Sequence, residues 1–105
     1  MTREAIYSTI KKAVHTLLPD ARVVLFGSHA RGDHNEHSDY DLLIISPHTF
    51  TRQERLSYSS QIDRAIVKAI HAPVDLLLYS EEEIIKKSEL PGHIVRYAMQ
   101  EGVAL

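Results

Sequence analysis

The stretch GSHARGDHNEHSDYDLLII, residues 27–45, sets two acids, Asp39 and Asp41, at the opening of an apolar run that closes at Ser46-Pro47. A run of this length and composition reads as a buried strand. Side chains alternate along a strand, so Asp39 and Asp41 project from one face and Tyr40 from the other. Upstream, Arg22 to Phe26 is a second strand ended by Gly27. Downstream, Pro73 opens a third, Val74 to Tyr79, which carries Asp75 near its start. Taken singly, each of these acids reads as a turn cap or a salt-bridge partner. Three together beside a Gly-Ser turn read as one site, because crowded carboxylates raise one another's pKa and burying them unpaired costs several kcal/mol. A bound cation resolves that conflict. An oxygen-only donor set with no cysteine in the chain points to a hard ion such as Mg²⁺, which keeps waters and is completed by substrate phosphates.

Working outward, Ala5, Ile6, Ile10, Ala13, Val14, Leu17 and Leu18 recur at helical spacing until Pro19-Asp20 stops the pattern. Thr51 with Glu54, and Ser80 with Glu83, have capping-box spacing ahead of apolar periodicity, so each predicts a helix start. Leu90, Ile94, Val95, Ala98 and Met99 predict a last amphipathic helix closed by Gly102, a residue type that favours helix C-termini. The residues between Gly27 and Asp39 read as a polar loop. The expected order is α-β-β-α-β-α-α in one domain over residues 1–105. Its class is α/β (α+β), a small three-stranded mixed sheet flanked by helices.

The chain has 105 residues, 44% apolar and 25% charged, with a formal net charge of −2. Its Lys and Arg residues are scattered, which disfavours a polynucleotide partner. The absence of cysteine fits a reducing compartment. The longest apolar runs, around Leu42–Ile45 and Leu76–Tyr79, fall far short of the ~18 residues of a membrane span. Arg3, Glu4, Lys11, Lys12 and His15 interrupt the first helix, so no signal peptide is expected there. A cytoplasmic protein that does not enter the membrane is the expectation.

Gly27-Ser28 lies where the first strand ends and is followed by Ala30-Arg31-Gly32. Small residues let backbone approach a phosphate, Ser28 adds a hydroxyl, and Arg31 adds a fork of donors. The Gly27 to Gly32 spacing imitates a P-loop, but Asp33 and His34 stand where that loop needs Lys and Ser or Thr. His29, His34 and His37 with Asp33 match no standard zinc spacing. The five tyrosines are scattered singly and are given no role.

These residues resemble the signature of the DNA polymerase β-like nucleotidyltransferase superfamily: Gly-Ser, ten residues, Asp, one residue, Asp, with Asp75 in VDLLLY at the place of the third carboxylate. The element order agrees over nearly the whole chain. Within that superfamily the chain most resembles the minimal nucleotidyltransferases of prokaryotes, whose partners are HEPN proteins. The resemblance implies that Asp39 and Asp41 hold the metal ions bridging the triphosphate of ATP, and that Gly27 and Ser28 bind its outer phosphates. It further implies that Asp75 ligates the metal nearer the acceptor, and that Arg31 neutralises the departing pyrophosphate. The implied activity is Mg²⁺-dependent transfer of AMP from ATP to a protein hydroxyl, a tyrosine of a HEPN ribonuclease toxin, with this chain as antitoxin in a hetero-oligomer. The family pattern has a basic residue after Gly-Ser, where this chain has His29. Two alternatives stand beside this one: transfer to a small molecule or RNA end, and an antitoxin that only binds its toxin. Arg64 and His71 imitate the arginine-histidine pattern of HEPN ribonucleases themselves, but those domains are all-helical and this pair precedes a strand.

Overall fold

The computed structural model describes residues 1–105. Helices begin where side chains replace the backbone partners that a first turn lacks. The Thr2 hydroxyl accepts from the Ala5 amide at 3.1 Å and opens α1, Arg3–Leu17. Thr51 with Glu54 and Ser80 with Glu83 form complete capping boxes, opening α3 at Arg52–Ile70 and α4 at Glu81–Ser88. The last long helix, α5, spans Ile94–Glu101 and is capped by His93, whose ring accepts from the Val95 amide at 3.1 Å. Leu90 therefore lies outside that helix.

The strands β1 (Arg22–Phe26), β2 (Tyr40–Ser46) and β3 (Val74–Ser80) stand where the sequence predicts them. Four strands form the sheet rather than three, in the order β3-β2-β1-β4. The addition, β4 at Val103–Ala104, runs antiparallel to β1 and pairs with Leu25 and Val24. Gly102 makes this possible, since a Cβ there would lie 2.3 Å from the Ala98 carbonyl oxygen and 2.4 Å from Val24 Cγ1. Its backbone is extended, with φ −77°, so it leads into a strand rather than forming a left-handed helix cap. A second correction falls in the expected loop, where Ser28–Arg31 forms a single helical turn, α2.

β1 and β2 are antiparallel while β2 and β3 are parallel. Parallel neighbours need a crossover, and α3 supplies it. Alternation then divides the core into two faces. Val23, Leu25, Leu42, Ile44 and Leu78 pack with Ile10 and Val14 of α1 and Ile62 and Ile66 of α3. Val24, Phe26, Leu43 and Ile45 pack with Ile84 of α4 and with Val95 and Ala98 of α5. Ile10, Leu25, Leu42, Leu43, Ile44 and Ile45 are all 0% exposed, and each such side chain contributes roughly 1.5–3 kcal/mol by leaving water. No helix is long and apolar enough to cross a membrane.

Candidate functional site

Asp41 follows the same parity as Leu43 and Ile45, and Asp75 the same parity as Leu77 and Tyr79, so both project toward the α4–α5 face. The parallel register pairs Asp41 directly with Asp75, and the antiparallel register pairs Asp41 with Phe26, the residue before Gly27. Neighbouring strands lie about 4.8 Å apart, so the two carboxylates are adjacent by construction. Asp39 sits one residue ahead of β2 and is exposed. Its charge nevertheless reaches Asp41. The Asp41 carboxyl is held above the usual carboxylate range, first by burial and then by the charges of Asp75 and Asp39, against the opposing influence of His29 and Arg31.

Gly27 is shaped around this acid. Its φ is +76°, a left-handed value, and a Cβ there would stand 2.0 Å from Asp41 Oδ2. The carboxylate thus fills the space that any other residue would need for its side chain. Ser28 then starts α2, which Gly32 closes with φ +85° and an amide bonded to the Ser28 carbonyl at 2.9 Å. The sheet and this turn therefore bring Gly27, Ser28, Asp41 and Asp75 to one end of the strands, with Asp39 at the rim.

Arg31 leaves the turn toward α5. Its Nη1 donates to the Tyr97 hydroxyl at 2.5 Å and its Nε to Asp33 Oδ2 at 3.2 Å. Tyr97 is in turn placed edge-on to Phe26, with ring centroids 6.3 Å apart. Tyr97 is the residue that the sequence reading missed, because a contact across 66 positions leaves no local signature.

His29 faces the other way. Its ring stacks on Tyr40 at 3.7 Å and 9° and on His34 at 4.2 Å, and its Nε2 lies 3.0 Å from the Ser38 carbonyl oxygen. Tyr40 packs against the α1–α3 core, so this stack lies across the sheet from Asp41. It ties the 33–38 loop down. Tyr40 itself is pushed above the ordinary tyrosine value by burial and by Tyr7.

No group of three or more His, Asp or Glu side chains is placed to hold a metal ion by itself. An open set of acids nonetheless suits Mg²⁺, which takes one or two carboxylates and completes its shell with water and phosphate oxygens. The charges of Asp75 and Asp39 add to the burial that raises the Asp41 carboxyl, and a divalent ion held by one or two of these adjacent carboxylates would offset them. The three loop histidines form no such group.

A family model described as a nucleotidyltransferase domain matches residues 7–105. Two Methanocaldococcus jannaschii proteins named as candidate protein adenylyltransferases are similar in sequence. One is 46% identical over 52 residues, 48% of this chain and 52% of its own length, so the match spans about half of that relative. The other is 31% identical over 84 residues, 80% of this chain and 76% of its own. Among solved structures, one described as a candidate minimal nucleotidyltransferase has a TM-score of 0.68 at 21% identity, over 100% of this chain and 97% of that one. A chain from the complex of a tri-AMPylated Shewanella oneidensis HEPN toxin with its MNT antitoxin has a TM-score of 0.59 at 15% identity, over 98% of this chain and 71% of that one. At these identities the likeness is one of fold.

Proposed function

Because the chain belongs to the nucleotidyltransferase-domain family, we propose that it is a single-domain, Mg²⁺-dependent protein adenylyltransferase that moves AMP from ATP to a tyrosine of a HEPN ribonuclease toxin. In this reading it acts as an antitoxin in a cytoplasmic hetero-oligomer. The observation that carries the proposal is the register of Asp41 with Asp75, beside a glycine whose missing side chain is replaced by the Asp41 carboxylate.

In this reading Asp39 and Asp41 would hold Mg²⁺ beside the triphosphate, where it would supply neutralising charge for the phosphates and the departing pyrophosphate. Gly27 and Ser28 admit the outer phosphates closely to the backbone. Asp75 stands on the acceptor side and receives the hydroxyl proton as the acceptor oxygen bonds to the α-phosphorus. The bond from that phosphorus to the bridging oxygen breaks, and pyrophosphate leaves. Arg31, steered by Tyr97, presents its donors to that leaving group. A tyrosine has an ordinary pKa of about 10, so help in losing its proton matters. The added phosphodiester is bulky and anionic, and beside a ribonuclease site it would repel RNA phosphates.

The test is to incubate the protein with the HEPN protein encoded beside it, ATP and Mg²⁺, and to read intact masses. The partner is expected to gain one or more AMP groups, and Asp39→Ala with Asp41→Ala to abolish the gain. An inhibited but unmodified partner would favour an antitoxin that acts by binding. A partner neither bound nor modified would redirect the search to small molecules or RNA ends.

A further inference from the structure

β3 closes one side of the sheet, and its hydrogen bonds reveal which of its backbone groups face outward. The Tyr40 amide donates to the Pro73 carbonyl at 3.0 Å, while Arg55 Nη1 donates to the Leu78 carbonyl at 2.6 Å from the far side. In a strand the N–H and C=O of one residue point to the same edge, and the edge alternates from residue to residue. Asp75, Leu77 and Tyr79 therefore serve β2, and Val74, Leu76 and Leu78 face outward. At Leu78 the edge is occupied by Arg55, itself fixed by Glu83 at 2.8 and 3.0 Å. At Val74 and Leu76 the fold provides no partner, and Asp75 lies between them.

An antiparallel strand bonded at Val74 and Leu76 would set its own residue opposite Asp75 as a non-hydrogen-bonded pair, with Cα atoms about 4.5 Å apart and both side chains on the same face. The residues on either side would point toward α3, where a groove of about 390 Å³ is lined by Leu56, Ser59, Ser60, Asp63, Arg64 and Leu76. That groove mixes both charges, hydroxyls and apolar surface, which suits the side chains of a peptide. A second copy of β3 suits the edge poorly, since antiparallel pairing centred on Asp75 would oppose two carboxylates, a destabilising arrangement.

We infer that the open edge of β3 at Val74–Leu76 docks an extended segment of the acceptor protein, a loop or tail outside its helices, as an added strand, delivering its hydroxyl-bearing residue beside Asp75. The main chain of the acceptor supplies the attraction, and the groove beside α3 sorts its alternate side chains. This rests on the protein adenylyltransferase reading and deepens it: acceptors are recognised in extended form, at a hydroxyl flanked by residues that tolerate a strand. Arg55 ends the docking site, so the pairing is short and reversible.

Hydrogen exchange of the full chain, read residue by residue, separates docking from chemistry. The probe is a synthetic peptide with one central tyrosine between alternating threonine and valine and with lysines at both ends, added in excess with ATP and Mg²⁺. The Val74 and Leu76 amides are expected to slow at least tenfold, while those of Asp75 and Leu77 are protected from the outset. Leu76→Pro removes one outward N–H without touching the β2 ladder. It should raise the KM for the peptide at least tenfold and leave ATP binding by calorimetry unchanged. AMP transfer to the peptide without protection at Val74 and Leu76, or with an unchanged KM in Leu76→Pro, would overturn the docking inference and leave the transferase reading intact. Protection without transfer to peptide or HEPN partner would uphold docking and remove the transferase reading. No protection and no transfer would overturn the docking inference, as would protection that grows with protein concentration in the absence of peptide.

Discussion

A methyl group on Gly27 would stand 2.0 Å from Asp41 Oδ2, and it would be carried on a backbone with φ +76°. Gly27→Ala must therefore move the carboxylate as well as strain the turn. The expected outcome is a loss of Mg²⁺-dependent ATP affinity of at least tenfold with the fold retained, read by calorimetry beside circular dichroism. Unchanged affinity would separate Asp41 from the nucleotide. His29 makes the complementary point. Where the family pattern has a basic residue, its ring lies flat on Tyr40 and its Nε2 meets the Ser38 carbonyl. The sequence left the role of this position open, and in the structure the ring braces a loop.

Among the elements, α4 starts with the most connected cap. Burial pushes the Glu83 carboxyl up, but the Ser80 amide and the Arg55 guanidinium outweigh it and hold the group below its ordinary 4.5. A lowered folded pKa contributes stability that is present above that ordinary value and is lost as pH falls through the folded one. Glu83→Gln keeps a side-chain oxygen for the cap and loses the ion pair. It should cost about 1 kcal/mol at pH 7, a gap that narrows in urea titrations as pH falls below the ordinary carboxylate value. The capping boxes at Thr51 and Ser80 were legible in the sequence because a cap is a local contact three residues long. The strands and the shared side of Asp41 and Asp75 were legible through alternation and apolar runs. α2 was not, since one polar turn has no periodicity to read. β4 was missed because its two residues are strand only through Val24 and Leu25, and the Arg31–Tyr97 contact because its partners meet only in three dimensions.

The whole molecule is a slab of 35 × 29 × 19 Å with helices on both faces of the sheet and the acids at a strand end. Such a site is open to solvent, and on the adenylyltransferase proposal the acceptor would supply the walls that exclude water. Occupancy should register globally. Mg²⁺ with ATP at about 100 times Kd adds about 2.7 kcal/mol, and for a domain of this size about 4–8 °C follows from each kcal/mol. A rise in melting temperature of roughly ten degrees or more is therefore expected, and ATP with chelator should give none of it. Equal shifts in both would exclude metal-bridged binding. The open β3 edge carries a cost of another kind. VDLLLYS contains no Pro or Gly and a single charge, Asp75, which makes it the sort of segment that seeds cross-β assembly once exposed. As the single charge in that segment, Asp75 is expected to act as a gatekeeper against aggregation. Asp75→Asn, the natural choice for an inactive control, should scatter light and bind thioflavin at concentrations where Asp39→Asn stays clear. Equal clarity would show that Arg55 guards the edge alone. On the proposed assignment, a soluble inactive protein is therefore better made at Asp39 and Asp41, because the single charge at Asp75 would serve both chemistry and solubility.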